Sequence, residues 1–80
     1  MKANVYITLK NGVLDIQGRA VMDALGTLDF KELKDLRIGR FMELELDGAN
    51  ADEVRARVTE MCKSLLANPV IEDYRIEVVE

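Results

Sequence analysis

The sequence contains no histidine, one cysteine and one proline, and each scarcity removes or narrows a class of chemistry. Without histidine the chain lacks the side chain that most often serves as general base and metal ligand near neutral pH. Cys62 stands alone and cannot close an internal disulfide. Positive charge is also short, with 11 Lys and Arg against 15 Asp and Glu for a net charge of -4. That balance argues against a nucleic-acid or anionic-membrane surface, since both call for clustered cations. No apolar run is long enough for a signal segment or a membrane span, so a cytoplasmic protein is expected. The 80 residues leave room for one domain, expected over 1–80. A chain of this size buries only about 60% of its unfolded surface, so oligomerisation is expected to add stability.

The single proline marks the corner around which the rest is arranged. Pro69 has no N–H to give a helix and pushes Asn68 out of the α region, so the helix behind it must close by about Ala67 and the chain leaves extended. From the amino terminus, Val5, Ile7 and Leu9 alternate with Asn4, Tyr6, Thr8 and Lys10, the period of a half-buried strand. Asn11-Gly12 ends it. Asp15 is the N-cap candidate for a first helix with Ala20, Val21, Ala24, Leu25 and Leu28 as its apolar stripe. Leu36 and Ile38, then Met42, Leu44 and Leu46, read as two strands flanking Gly39-Arg40-Phe41. A plain two-residue turn there would put Leu36 on the same face as Glu43, so this hairpin requires an odd-length turn or a bulge, with Gly39 supplying a positive φ. Asn50 and Glu53 resemble a capping box opening a second helix, whose stripe is Val54, Val58, Met61 and Leu65 with Leu66 beside it. Replacing Leu65 by Ala is expected to cost roughly 2–5 kcal/mol if that residue is core. Tyr74, Ile76 and Val78 alternate in the last strand.

The order β-α-β-β-α-β predicts an α+β fold of the split βαβ, or ferredoxin-like, kind: a four-stranded antiparallel sheet in order 4-1-3-2 with both helices on one face. In that topology the loop at 11–16, the turn at 39–41 and the corner at 67–72 lie at the same end of the sheet. Asn11, Gly12, Asp15, Gly39, Arg40, Asn68, Pro69 and Ile71 are the candidate residues of a partner-docking surface at that end. Rigid loops lose little entropy on binding, and Arg40 could add a multi-donor contact at the rim. The competing reading is that these are simply well-made turns.

The chemistries this topology hosts each need particular residues. A soft-metal carrier needs paired thiolates in the first loop, which Asn11-Gly12-Val13-Leu14 does not supply. An RNA-recognition module needs aromatics on its central strands, where Tyr6 stands nearly alone. Gln17-Gly18-Arg19 is a faint echo of an acylphosphatase-like anion cradle, and Arg19 otherwise reads as a solvated helix residue. Cys62 lies on the flank of the second helix's stripe with no histidine to activate it and reads as a packed thiol. Tyr74 reads as a core-rim residue. The residues therefore offer no catalytic, metal or cofactor-binding set.

Val5-Tyr6-Ile7-Thr8-Leu9-Lys10, Gly12-Val13-Leu14-Asp15, Gln17-Gly18, Arg37-Ile38-Gly39, Met61-Cys62 and Leu65-Leu66-Ala67-Asn68-Pro69-Val70-Ile71-Glu72-Asp73-Tyr74 resemble the PurS subunits of phosphoribosylformylglycinamidine synthase, in the same order and along the whole chain. The run from Leu65 to Tyr74 is the most specific part. Two positions depart from the family pattern, Ile16 where proline is usual and Arg40 where lysine is usual. The resemblance implies an accessory, non-catalytic subunit in purine biosynthesis. The synthase converts formylglycinamide ribonucleotide, glutamine and ATP to formylglycinamidine ribonucleotide, glutamate, ADP and phosphate. It further implies partners: a synthetase (PurL-like) subunit that uses ATP and magnesium, and a glutaminase (PurQ-like) subunit that releases ammonia, with no cofactor on this chain. A homodimer or higher oligomer is expected, built through an edge strand or through the sheet face away from the helices. An ACT-type small-molecule sensor and, more remotely, a phosphatase are the alternatives from other classes.

Overall fold

The computed structural model describes residues 1–79, so Glu80, the last residue of the expected domain, lies outside the described residues. Strand β1 (Lys2–Leu9) is followed by α1 (Ile16–Thr27), β2 (Arg40–Glu45), α2 (Ala51–Met61) continuing into one π-helical turn (Cys62–Leu66), and β3 (Glu72–Val79). The sheet has the order β2-β1-β3, with both pairings antiparallel. Val5 lies opposite Met42 on one side and Ile76 on the other, which puts the apolar positions of all three strands on one face. Against that face α2 lays Val54, Val58 and Cys62, and these join Ala3, Val5, Ile7 and Ala67 in the buried core. The other face is polar: Lys2 pairs with Glu43 at 2.7 Å, Asn4 donates to Glu77 at 3.0 Å, and Arg75 lies 4.1 Å over the Tyr6 ring. None of the helices among the described residues is long and apolar enough to cross a membrane.

The expected four-stranded ferredoxin-like sheet is not formed. The three strands that pair do so in the expected sequence, but the fourth, expected around Leu36 and Ile38, is not a strand. Its backbone and side chains are committed elsewhere. The Ile38 N–H goes to Asp15 Oδ2 at 2.8 Å, and the Arg37 guanidinium holds Asn11 Oδ1 at 2.8 Å and the Leu9 carbonyl. The chain thus crosses the end of β1 instead of running along an edge. That removes the parity conflict between Leu36 and Glu43, because no hairpin joins them. Gly39 is needed for a different reason from the one expected, since it does not have a positive φ. A Cβ there would collide with the Ile7 carbonyl oxygen, so only glycine lets the crossing segment press onto β1.

The two helices do not share one face of the sheet either. α1 buries only Gly18, and its i, i+4 row of Ile16, Ala20, Ala24 and Leu28 is exposed. The molecule is correspondingly long, 50 × 26 × 14 Å, with a Cα radius of gyration of 16.0 Å. A compact 80-residue domain would have about 12 Å. α1 begins where Asp15 caps it through Gly18 N–H at 2.8 Å, as expected. It ends in a Schellman-type turn, with Phe30 N–H to Leu25 carbonyl at 3.1 Å and Asp29 N–H to Gly26 carbonyl at 3.2 Å, and Asp29 takes φ 74 where glycine is usual.

A third correction concerns α2. The Asn50 cap is present, with its side chain accepting from Glu53 N–H at 2.9 Å. The buried stripe, however, runs Val54, Val58, Cys62 and, half-buried, Leu66. Leu65, expected in the core, is 84% exposed. The π-helical turn closes with Ala67 N–H on the Cys62 carbonyl at 3.1 Å, and the extra residue per turn swings Leu65 outward while keeping Cys62 and Ala67 inside. Cys62 is fully buried, and that burial pushes its thiol pKa up, away from the reactive thiolate.

Candidate functional site

The end of the sheet that carries the β1–α1 turn, the start of β2 and the Pro69 corner is held together by two carboxylates. Asp15 accepts from Gly18 N–H through Oδ1 and from Ile38 N–H through Oδ2, both at 2.8 Å, so one side chain caps α1 and pins the segment entering β2. Those backbone donors, Ile38 first and Gly18 second, hold its pKa below the ordinary carboxylate range, opposed by desolvation and aided weakly by the Arg37 charge. Gly18 is required here, because a Cβ would run into the Asp15 carboxylate.

Glu72 does the equivalent at the corner. Its Oε1 accepts the Asn68 N–H at 2.7 Å, and both of its oxygens lie 2.9 Å from Arg40 Nη2. The Asn68 N–H is the main reason that its pKa is lowered, with Arg40 adding to the effect. Asn68 closes the corner from within, its Oδ1 accepting Val70 N–H at 3.1 Å and its carbonyl accepting from Ile71 and Glu72. The corner is tied to β1 by Lys10 N–H on the Ile71 carbonyl at 2.8 Å and by Lys10 Nζ on Asp73 at 2.9 Å.

The structure therefore brings the three expected segments into one cluster. Arg40 bridges to the corner, Asp15 bridges the first loop to the start of β2, and Asn11 is held by Arg37. Gly12 takes φ +89 at the exposed tip of its turn. Asn68, Pro69 and Ile71 are exposed, Ile71 at 39%, with Val70 beside them at 80%. Arg37 and Glu72 are central to this network but were not among the candidate docking residues expected from the sequence. Each joins a main-chain group, the Leu9 carbonyl or the Asn68 N–H, to a side chain more than 20 residues away, Asn11 or Arg40, and neither kind of partner leaves a local sequence pattern. At the other edge of the sheet, Arg55 of α2 donates to the Ile76 carbonyl at 2.9 Å and caps part of the free edge of β3.

The family model for PurS, phosphoribosylformylglycinamidine (FGAM) synthase, matches residues 2–80. The chain is 51% identical over 79 residues to the phosphoribosylformylglycinamidine synthase subunit PurS of Bacillus subtilis, covering 99% of this chain and 93% of that one. It is 46% identical over 77 residues to the PurS subunit of Methanocaldococcus jannaschii, covering 96% and 93%. The solved structure of B. subtilis PurS superimposes with a TM-score of 0.89 at 49% identity, covering 99% of this chain and 98% of that one. A chain of the solved PurLQS structure from Thermotoga maritima superimposes with a TM-score of 0.87 at 28% identity, covering 95% and 93%. With sequence and fold matching along the described chain, this protein belongs to the PurS family of phosphoribosylformylglycinamidine synthase subunits.

Proposed function

We propose that this chain is the accessory subunit of a phosphoribosylformylglycinamidine synthase, acting in the cytoplasm as a single domain that joins a glutaminase subunit to a synthetase subunit and supports ammonia transfer between them. The full-length likeness to PurS chains, one of them solved within PurLQS, is the observation that carries this reading. ATP and magnesium belong to the synthetase partner, and no group on this chain is assigned to covalent chemistry. The ACT-type sensor drew on a four-stranded sheet that the chain does not build.

The docking surface in this reading is the end that carries Asn11, Gly12, Asp15, Gly39, Arg40, Asn68, Pro69 and Ile71. Its loops are cross-tied before any partner arrives, so little ordering entropy is lost on binding. The chain acts as a homo-oligomer in which a second copy covers the exposed row of α1 and the half-buried Met42, Leu44 and Leu46 on the β2 side of the sheet. This replaces the edge-strand dimer as the favoured arrangement, because Arg55 occupies part of the β3 edge and the face away from α2 is polar.

Reconstitution tests the reading directly. Glutamine-dependent, ATP-driven turnover by the purified synthetase and glutaminase subunits is expected to rise on adding this chain, and equal turnover without it would overturn the accessory role. Val70→Asp at the corner is expected to weaken assembly, whereas Arg57→Glu on α2 leaves it unchanged; the reverse pattern would show that the docking surface lies on α2.

A further inference from the structure

A cavity of about 280 Å³ lies between the β1–α1 turn and the segment that precedes β2, and charged and polar groups line it: Lys10, Asn11, Asp15, Arg19, Asp35 and Arg37. Their hydrogen bonds leave a surplus of donors. Both Asp15 oxygens are taken by main-chain N–H groups, and Asp35 Oδ1 accepts the Leu36 N–H at 2.9 Å. Arg37 spends one N–H on Asn11 Oδ1 and another on the Leu9 carbonyl, both neutral acceptors, out of the five that a guanidinium carries. Lys10 is paired with Asp73 at 2.9 Å. Arg19 forms no ion pair and no side-chain hydrogen bond among the described residues, although it lines the same cavity.

We infer that this cavity is an anion site, taking one carboxylate or phosphate group between the free guanidinium of Arg19 and the remaining donors of Arg37. Asp15 already occupies the Gly18 N–H through its side chain and the Arg19 N–H through its carbonyl, so the donors of this site are side chains. The chemistry comes from the two forks: a guanidinium presents parallel N–H donors that match two oxygens of a carboxylate or phosphate, and such charge-assisted bonds are roughly twice as strong as neutral ones. The lining carries three cations, Lys10, Arg19 and Arg37, against two carboxylates, Asp15 and Asp35, and of the three only Lys10 is spent on a carboxylate, Asp73. The anion has two possible sources, a free small molecule or an acidic side chain of a bound subunit, and the second rests on the accessory-subunit reading.

The test has two arms. The intact chain is titrated with inorganic phosphate and with acetate while the amide resonances of Gly12, Arg19 and Arg37 are followed, for the native protein, Arg19→Gln and Arg19→Lys. Saturable shifts in the native protein, weakened at least tenfold by Arg19→Gln and partly restored by Arg19→Lys, support a free anion. The second arm measures assembly with the synthetase and glutaminase subunits at low and high salt. No response to free anions, combined with a tenfold loss of assembly for Arg19→Gln that high salt abolishes, supports a partner's carboxylate. Native chain and Arg19→Gln alike in both arms, with both assembling, would overturn the anion site while leaving the accessory role intact. Failure of the native chain to assemble would count against that role, and the first arm then decides the site by itself.

Discussion

Leu28 sits at the end of α1 with 67% of its surface in water, far more than an apolar side chain in the expected helix stripe should show. If a second copy covers the α1 row, Leu28→Ser removes an apolar contact that exists only in the assembly. Burying a leucine fully is worth about 1.5–3 kcal/mol, and two-thirds of that remains to be gained by Leu28, or about 1–2 kcal/mol per chain. A two-fold dimer uses the residue twice, which gives about 2–4 kcal/mol and a dissociation constant raised roughly 30- to 700-fold. The isolated chain, in contrast, should lose no more than about 0.5 kcal/mol, as for other exposed substitutions. Sedimentation equilibrium across nanomolar to micromolar concentrations gives the first number, and urea unfolding well below the dissociation constant gives the second. Leu28→Met, which keeps the apolar area, should associate as the native chain does. The reasoning is refuted if the native chain is monomeric at micromolar concentration, or if Leu28→Ser associates as tightly as Leu28→Met.

Three further outcomes follow from the same geometry. Val58→Ala, at a position with no exposure, should cost about 2–3 kcal/mol by urea unfolding, whereas Leu65→Ala should cost under about 0.5 kcal/mol in the isolated chain; equal losses would deny the register change at the π-helical turn. Asp29→Gly should raise stability by up to about 1 kcal/mol, because φ 74 is strained for a residue with a Cβ, and an unchanged urea midpoint would argue against that strain. Asp15 and Glu72 both have folded pKa values below their unfolded ones, so their stabilisation is fully present above about pH 5 and is lost as pH falls through the lowered values. Thermal unfolding between pH 2 and 6 should therefore show a shallower acid loss for Glu72→Gln than for the native chain, and an identical acid limb would contradict the assignment.

The sequence by itself determined the elements whose signals are local. Alternation at Val5, Ile7 and Leu9 and at Tyr74, Ile76 and Val78 specifies strands, because side chains in a strand alternate faces whatever the strand pairs with. Asp15 and Asn50 specify helix starts through bonds that span three residues, and Pro69 ends the second helix by lacking a donor. The composition of the end proposed for docking was legible for the same reason, since Asn11-Gly12 and Asn68-Pro69 favour turns through their own side chains and rings.

Only the tertiary structure decided what became of Leu36–Ile38 and of α1. Alternating apolar residues satisfy a strand pattern, but whether they pair depends on competing partners distant in the chain, here Asp15 for the Ile38 N–H and the Leu9 carbonyl for Arg37. The outward turn of Leu65 was hidden too, because a single residue inserted into a helical turn rotates everything after it without altering the composition around it. The exposed row of α1 was read as core because apolar spacing records that a face is buried, not which molecule buries it. Within one chain Ala20, Ala24 and Leu28 of that stripe meet water, because the molecule is extended and α1 buries only Gly18.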